Sequence, residues 1–358
     1  MRRSIPLAVA ALAAAGLTTI ATTASSSAAT TSAGASRSAD VILPPHAYAP
    51  YFEAYDSTDG GLAQLSAESG AKDVSLAFLQ TEAPGSCTAY WNGDTSTPIS
   101  ATAAGSFGAD IAAIQARGGT VIPSFGGYTA DTTNTELADS CTDVSSIAQV
   151  YESLVTTYHI TRIDLDVEGD SVSNTAGIER RNEAIAQTEA WAAANHKVVQ
   201  FDYTLPVNPT GLTATGLSVI QNAAAEGAKI TEVNLLTFDY FFGTTEDMLT
   251  DAENAAVATH AQLESIYPNQ SPLALWHSIG ITVMPGIDDF GAAETFTKAQ
   301  APALLAWAAL HNLGLLSIWA VQRDNGGCVG TKGAGTCSGV AQSTWYFSHV
   351  FDLYNYLP

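Results

Sequence analysis

The segment RIDLDVEGD, residues 162–170, carries three carboxylates at alternate positions: Asp164, Asp166 and Glu168. In a β-strand, residues two apart point to the same face, so the three acids share one face and the apolar residues between them share the other. Crowding like charges beside a core costs free energy and raises their pKa values. The acidic face is therefore a candidate catalytic site.

Three roles fit such a group of acids. A hard divalent cation takes carboxylate ligands, but alternate strand residues are ~6.5–7 Å apart, too far for three of them to share one small ion without a bend. A structural network, hydrogen-bonded to backbone and hydroxyl groups, is the second role. The third is glycoside hydrolysis, in which one carboxylic acid keeps its proton near neutral pH because of burial and neighbouring carboxylates. Glu168, the outermost acid, could then reach a scissile oxygen.

Eight runs of strand-like composition alternate with longer segments of helical spacing. The runs cover residues 46–52, 73–80, 119–127, 161–169, 197–206, 232–241, 278–286 and 315–323. Strands separated by helices pair in parallel, and eight of them close a barrel. We therefore predict an α/β fold, a (β/α)8 TIM barrel. The alternative is a doubly wound open sheet, which usually has a GxGxxG loop after its first strand; this chain has none there.

In such a barrel the reactive groups lie at the carboxyl ends of the strands. Glu168 ends the fourth run, and the sequence SFGG at 124–127 ends the third. Asp239 and Tyr240 end the sixth run, and Trp319 lies late in the eighth. These polar and aromatic residues come from separate strands, and the barrel would bring them to one mouth.

The amino terminus and the overall charge limit where the protein works. Residues 1–29 have two arginines, an apolar Ala-rich run and small residues, which predicts a secretory signal peptide; a membrane anchor is the alternative. Residues 30–43 are predicted to be a flexible Ser/Ala/Thr lead-in, and residues 44–358 a single catalytic domain. The net charge of −22 disfavours nucleic acid and anionic membranes as partners. We expect an extracellular monomer.

The four cysteines are expected to form disulfides, because exported chains oxidise their thiols. Cys328 and Cys337 flank a Gly-rich loop, which leaves Cys87 and Cys141 for each other. The chain has no CxxC or HExxH motif, so no zinc site is predicted. No other metal and no cofactor is expected either.

Several motifs together resemble glycoside hydrolase family 18, the chitinases and their relatives. IDLDVEG at 163–169 is similar to the family's DxxDxDxE signature, and PSFGG at 123–127 to its SxGG motif. VNLLTFDY at 233–240 and LSIWAVQRDN at 316–325 resemble the sixth-strand and eighth-strand segments of that family. APY, YTLPVNPTGL and GITVMPGIDD resemble the compact bacterial chitinase branch. The resemblance covers residues 46 to about 325.

The resemblance implies hydrolysis of β-1,4 links between N-acetylglucosamine residues with retention of configuration and no enzymic nucleophile. Glu168 would protonate the leaving oxygen, and the substrate's own 2-acetamido oxygen would attack C1. Asp166 would orient the acetamido N–H, and Asp164 would share a proton with Asp166. Chitin or its oligosaccharides would be the substrate, cut internally. The alternatives are an endo-β-N-acetylglucosaminidase acting on N-glycans and a non-catalytic chitin-binding lectin.

The resemblance also implies substrate contacts. Asp239 and Tyr240 would position the acetamido group, Trp319 would lie under the sugar, and Ser124 of the SxGG match is placed among the substrate-binding residues. Tyr51, at the end of the first run, is predicted to line the sugar site. Two interpretations of Trp91 stay open: an aromatic shelf for a further sugar, or packing behind the Cys87 disulfide.

Two positions depart from the family pattern. Thr161 stands where DxxDxDxE begins with Asp, and we interpret this as a change in a supporting residue. Phe238 stands where many members have Tyr, and a phenyl ring cannot donate a hydrogen bond to the acetyl carbonyl. That contact is therefore either missing or supplied by Tyr240.

Overall fold

The computed structural model describes residues 41–357. The predicted signal peptide, 1–29, and all of the predicted lead-in before Val41 lie outside the described residues. Within residues 41–357, no helix combines the length and the apolar character that crossing a bilayer requires.

The described chain alternates strands and helices. The strands are β1 Ala47–Tyr48, β2 Tyr51–Glu53, β3 Val74–Thr81, β4 Ala89–Trp91, β5 Val121–Gly126, β6 Arg162–Asp166, β7 Gln200–Asn208, β8 Gly211–Leu212, β9 Ile230–Leu236, β10 Ile279–Val283, β11 Gly286–Ile287, β12 Thr295–Phe296 and β13 Leu315–Ile318. The helices are α1 Leu62–Ser69, α2 Gly108–Ala116, α3 Tyr128–Thr133, α4 Leu137–Ser140, α5 Val144–Tyr158, α6 Thr175–Ala194, α7 Ala214–Glu226, α8 Met248–Ile266, α9 Pro272–His277, α10 Gln300–His311 and α11 Tyr346–Phe351.

The main sheet is a closed parallel barrel. Its order is β1-β13-β10-β9-β7-β6-β5-β3-β2, with every neighbouring pair along that path parallel. β1 and β2 are two halves of one strand interrupted at Ala49–Pro50. One half pairs with β13 and the other with β3, which joins the two edges of the sheet. The (β/α)8 prediction is confirmed, with all eight predicted strands in place.

The ends of the strands differ from the predicted runs. β6 ends at Asp166, so Glu168 lies two residues beyond the strand. β9 ends at Leu236, which places Asp239 and Tyr240 in the loop that follows. The short strands β4, β8, β11 and β12 were not predicted; β4 pairs antiparallel with β3 and β8 with β7.

Apolar side chains fill the layer between barrel and helices, while the barrel interior is polar. Thr204 on β7, Asn234 on β9 and Thr282 on β10 are buried and hydrogen-bonded in series. Asn234 Nδ2 donates to Thr204 Oγ1 at 3.0 Å, and Thr282 Oγ1 donates to Asn234 Oδ1 at 2.9 Å. These hydroxyl and amide groups can satisfy a buried carboxylate, which an apolar barrel core could not do.

Both expected disulfides are present. Cys87 pairs with Cys141 and Cys328 pairs with Cys337. The first bridge links the loop before β4 to the end of α4. The second closes a short loop in the long segment between β13 and α11.

Candidate active site

Asp164 is the innermost of the three acids and is fully paired. Its carboxylate accepts hydrogen bonds from Ser124 Oγ at 2.6 Å, Thr204 Oγ1 at 2.7 Å and Tyr51 Oη at 2.9 Å. Burial raises the pKa of Asp164, and these hydrogen bonds oppose the rise. The donors come from β5, β7 and β2, so the closed barrel itself builds the binding site for this carboxylate.

Asp166 lies one layer higher on the same face of β6. It is buried, and its Oδ1 has no hydrogen-bond partner among the residues that the structure describes. Burial raises its pKa well above the usual range, and the charges of Glu168, Asp164 and Asp131 raise it further. A buried, unpaired carboxyl oxygen is costly unless a ligand uses it. Asp166 thus offers an unused hydrogen-bonding oxygen beside the barrel mouth.

Glu168 is at the mouth, half-buried, just after the end of β6. Burial raises its pKa from 4.5 to about 7, while a hydrogen bond from the Tyr128 backbone opposes the rise. A carboxyl group with this pKa holds a proton for part of the time at neutral pH and can also return as a base, as general acid–base catalysis requires. The neighbouring backbone is held by Asp131, whose Oδ2 accepts the Glu168 backbone N–H at 2.5 Å.

Two glycines allow the strands to approach closely at this point. Gly126 and Gly127 both have positive φ, at 90° and 79°. A Cβ on Gly126 would overlap the backbone oxygen of Asp166, and one on Gly127 would overlap the ring of Phe78. The paired glycines of PSFGG are therefore required by packing against the acid-bearing strand and the adjacent ring.

Three aromatic rings lie beside the acids. Trp319, immediately after β13, is half-exposed and stacks on Phe78 with ring centroids 5.4 Å apart and an interplanar angle of 16°. Beneath them, the Tyr51 ring is 5.5 Å from Trp319, and its hydroxyl contacts Asp164. The same tyrosine thus touches both the indole platform and the acid column, which places the platform next to the carboxylates.

Asp239 belongs to a second acidic cluster across the mouth. Burial raises its pKa to about 8, and the charges of Asp288 and Asp289 add to the effect. Oxygens of Asp239, Asp288 and Glu294 lie within 4.8 Å of one another and are of the type that a hard cation prefers. However, backbone N–H groups of Asp239 and Tyr240 already donate to Asp288 and Glu294. Asp288 and Glu294 therefore cap the loop backbone, while Oε1 of Glu294 is buried without a hydrogen-bond partner among the described residues.

Tyr51 and Ser124 are not surfaces of the sugar site, contrary to the sequence-based prediction. Tyr51 is 1% exposed and Ser124 is 0% exposed. Both side chains donate to Asp164 and lie under the layer that a substrate could reach. Their role is to hold the innermost acid.

Trp91 and Tyr240 are both largely buried. Trp91 lies on β4, is 1% exposed, and packs edge-on against Phe107 in the core, so it cannot stack on a sugar. The second interpretation, internal packing, is the right one. Tyr240 is 8% exposed and stacks on Phe242. Burial raises the pKa of Tyr240 well above its ordinary value, and the charges of Asp251, Glu294 and Glu246 add to the rise. Its hydroxyl has no hydrogen-bond partner among the described residues, so a contact from Tyr240 in place of the one missing at Phe238 stays a prediction.

The sequence analysis did not predict that Asp131 and Phe78 lie at the site. Asp131 follows the SFGG motif by four residues on α3, and its isolated carboxylate in a Thr-rich segment gave no signal. Phe78 is a half-buried residue of β3 at a register shift between Ala77 and Leu79, which a regular alternation cannot reveal.

A buried ion-pair network supports the loops behind Glu168. Arg181 on α6 is fully buried and pairs with Glu136 at 2.6 Å and Asp139 at 3.6 Å. Glu136 also caps α4 by accepting the backbone N–H groups of Ala138 and Asp139. Ser171, in the turn after Glu168, donates to Asp139. The network connects the loop carrying the acid to two helices, α4 and α6.

Comparison with known proteins gives the family. No protein-family model matches the chain. The chain is 32% identical over 289 residues to the probable bifunctional chitinase/lysozyme of Escherichia coli and 31% identical over 290 residues to endochitinase 11 of Metarhizium anisopliae. Its structure is similar to the catalytic domain of a hyperthermophilic chitinase from Pyrococcus furiosus, with a TM-score of 0.75, 28% identity, and coverage of 88% of this chain and 96% of that one.

The chain belongs to glycoside hydrolase family 18.

The coverage of the relatives is uneven. Each curated alignment covers 78% of this chain, but only 31% of the Escherichia coli protein and 53% of the Metarhizium protein.

A mutant of active domain 2 of the Pyrococcus chitinase was solved in complex with chito-oligosaccharides, and that structure has a TM-score of 0.76 and 27% identity to this chain.

The departure from the family-18 signature at Thr161 lies at the opposite end of the barrel from the mouth. Thr161 precedes β6, is buried, and donates through Oγ1 to the backbone oxygen of Val41 at 2.8 Å. Next to it, Arg162 pairs with Glu232 at 3.0 Å and Asp202 at 3.4 Å. At this amino-terminal end of a barrel, such residues serve stability. The change from Asp to Thr therefore affects support at the barrel base.

Proposed function

We propose that this chain is an exported chitinase that hydrolyses internal β-1,4 links between N-acetylglucosamine residues. The observation that carries the proposal is the column of Asp164, Asp166 and Glu168 rising along β6 to the mouth, where the outermost acid has a pKa of about 7. The names of the curated relatives support the same substrate class.

The first chemical step breaks the glycosidic bond. Glu168, protonated, gives its proton to the leaving glycosidic oxygen. The carbonyl oxygen of the substrate's own 2-acetamido group attacks C1 from the opposite face and forms a cyclic oxazolinium ion. Positioning this group within the substrate removes the entropy cost of bringing in a separate nucleophile.

Asp166 stabilises the charge that develops in this step. Its buried Oδ1, which lacks a protein partner among the described residues, would accept the acetamido N–H. The positive charge that builds up on the acetamido group would then face a carboxylate in a site with little water, where such an interaction is strong. Asp164 is held by three hydroxyl groups. It would share a proton with Asp166, so that the two acids need not both be charged at once.

The second step completes hydrolysis with retention of configuration. Glu168, now ionised, takes a proton from a water molecule as the water attacks C1. The oxazolinium ring opens, the acetamido group is restored, and Glu168 is protonated again. The face of the sugar ring that lost the leaving group receives the water, because each step inverts C1 once.

Substrate position is set by Trp319 and Asp239 in this proposal. Trp319, stacked on Phe78, offers the exposed face of its indole to the apolar face of a sugar. Asp239 lies in the loop after β9, and its raised pKa lets it keep a proton and donate a hydrogen bond to the acetamido carbonyl. Phe238 cannot donate there.

The export part of the proposal comes from the sequence and the disulfides. Two disulfides are typical of proteins that fold in oxidising compartments. The predicted signal peptide at 1–29 supplies the route. Mass analysis of the amino terminus of protein recovered from the culture medium tests it: a start near residue 30 is expected.

Product analysis tests the proposed activity. The purified chain is incubated with the tetramer and hexamer of N-acetylglucosamine and, separately, with a high-mannose glycopeptide, and products are identified by mass. We expect dimers and trimers from the oligomers and no cleavage of the glycopeptide. Cleavage of the glycopeptide alone would replace the proposal with an endo-β-N-acetylglucosaminidase. Binding of the oligomers without any product would favour a lectin.

A further inference from the structure

A groove on the outer rim of the barrel mouth is separate from the acids. It encloses about 690 Å³ between the loop after β2, the end of α1 and the segment from β13 to α11. We call it the Trp345 groove, after the residue at one end; Asp59 and Glu68 lie along its wall. Glu168 and Trp319 are not among the residues that line it.

The chemistry of its wall suits a neutral, hydroxyl-rich ligand with an apolar face. Trp345 is half-buried and contributes an aromatic surface, while Thr336 and Thr344 are exposed and contribute hydroxyl groups. Asp59 and Glu68 add carboxylates that can accept hydrogen bonds from paired hydroxyl groups. No Lys, Arg or His is among the described lining residues, so nothing there attracts an anion. The volume lies in the range of small-molecule sites, about 300–1,000 Å³.

The groove is held in shape before any ligand binds. Asp324 is fully buried, and its carboxylate accepts hydrogen bonds from Gln342 Nε2 at 2.6 Å and from Ser348 N at 2.7 Å. The backbone oxygen of Asp324 accepts the backbone N–H of Trp345 at 2.7 Å, which fixes the start of α11. The Cys328–Cys337 disulfide forms part of the wall. A rigid groove loses little conformational entropy on binding.

We propose that the Trp345 groove is a second carbohydrate site, which binds a stretch of β-1,4-linked N-acetylglucosamine while the cleft acts elsewhere on the polymer. The choice of sugar rests on the proposed function. The groove itself is argued from its aromatic face, its hydroxyl and carboxylate groups and its lack of cations. It would hold the protein on insoluble chitin and contribute nothing to cleavage of short soluble oligomers.

Two variants and a control test the site in the full-length chain. Trp345→Ala removes the aromatic surface, and Thr336→Arg fills the groove from an exposed loop position without touching the core. Tyr356→Ala removes an exposed aromatic residue that does not line the groove and serves as the matched control. Thermal melting first establishes that each variant is folded. Retention on chitin beads in the cold and turnover of the soluble tetramer are then measured.

We expect both groove variants to bind the beads about tenfold more weakly, which corresponds to about 1.4 kcal/mol, with tetramer turnover unchanged. The control should bind like the wild type. If a folded Thr336→Arg variant binds the beads as strongly as the wild type, the second site is wrong, whatever the bead binding of Trp345→Ala. A parallel loss of tetramer turnover in both groove variants would overturn it too, because the groove would then be part of the cleft. If the wild-type protein binds the beads through the groove but cleaves no oligomer, the second site stands and the proposed function is wrong.

Discussion

The backbone N–H of Glu168 donates a hydrogen bond of 2.5 Å to Oδ2 of Asp131. Asp131 lies on α3, the short helix after β5, and is 1% exposed. Through this bond the loop that carries the outermost acid is fixed to the loop of the neighbouring strand. Asp131 therefore acts as a positioning residue, and its charge also raises the pKa of Asp166.

Replacing Asp131 should show whether it positions Glu168 for the chemical step or contributes to substrate binding. In Asp131→Ala the Glu168 amide loses its acceptor, and we expect kcat to fall about tenfold or more, because a misplaced catalytic group slows the chemical step. KM should change little. Asp131→Asn keeps an oxygen acceptor and should recover part of the loss. Steady-state kinetics on a soluble oligomer measures both, and equal kcat for wild type and the Ala variant would dismiss the role.

Tyr51→Phe removes one of the three hydrogen bonds to Asp164 without changing the ring. Because hydrogen bonds to its carboxylate oppose the burial effect, losing one raises the pKa of Asp164 further. We expect kcat to fall about tenfold, the equivalent of one buried hydrogen bond of roughly 1.5 kcal/mol. Tyr48→Phe is the control, since the Tyr48 hydroxyl contacts Ser348, away from the acids. A similar loss of kcat in both variants would argue against a specific effect on Asp164.

The pH dependence follows from the raised pKa of Glu168. The general acid must be protonated, so kcat/KM should fall as pH rises above about 7.

The stability of the fold should depend on the same group. The pKa of Glu168 is about 7 in the folded protein and 4.5 in the unfolded chain, so its contribution to stability is fully present below pH 4.5 and is lost as the pH rises through 7. Glu168→Gln cannot ionise, so it should melt above the wild type at pH 8 and near it at pH 4. Melting curves that shift equally at both pH values would contradict this pKa.

Arg162 at the barrel base should matter for stability and not for catalysis. Arg162→Met leaves Asp202 and Glu232 buried without their cation, and breaking a buried ion pair costs about 3–5 kcal/mol. Both acids already have raised pKa values, that of Asp202 being about 7, so at pH 5 they are protonated and do not need the cation. The loss of unfolding free energy caused by Arg162→Met should therefore grow from pH 5 to pH 8. Urea unfolding at both pH values measures it. Arg117→Met, at an exposed position, should show little change.

The alternation of acids along residues 164–168 predicted that Asp164 and Asp166 share the inward face of β6, because a strand has a strict two-residue period. Side chains that cross the barrel could not be predicted in the same way. Tyr51 and Ser124 end beneath the substrate layer because Asp164 needs donors at that depth. The sequence spacing places a residue on the inward face of its strand. How deep in the barrel its side chain lies depends on its hydrogen-bond partners on other strands.

Aromatic residues were the least predictable part of the site. Trp91 enters the core because β4 folds back on β3, a hairpin that the sequence did not reveal. Tyr240 turns toward Phe242 because β9 ends at Leu236 and Asp239 has a φ of 54°, which redirects the chain. Small changes in where a strand ends decide whether an aromatic ring faces the cleft or the core.

The most direct test of the proposed mechanism is hydrolysis of the N-acetylglucosamine hexamer by Glu168→Gln, compared with the wild type. Gln preserves the size of the side chain but has no proton to give to the leaving oxygen. Loss of general acid catalysis is expected to lower kcat by at least about 10²–10⁴-fold, with hexamer binding, measured by calorimetry, retained. Turnover near the wild-type rate in this variant would contradict the assignment of the catalytic acid and the mechanism built on it.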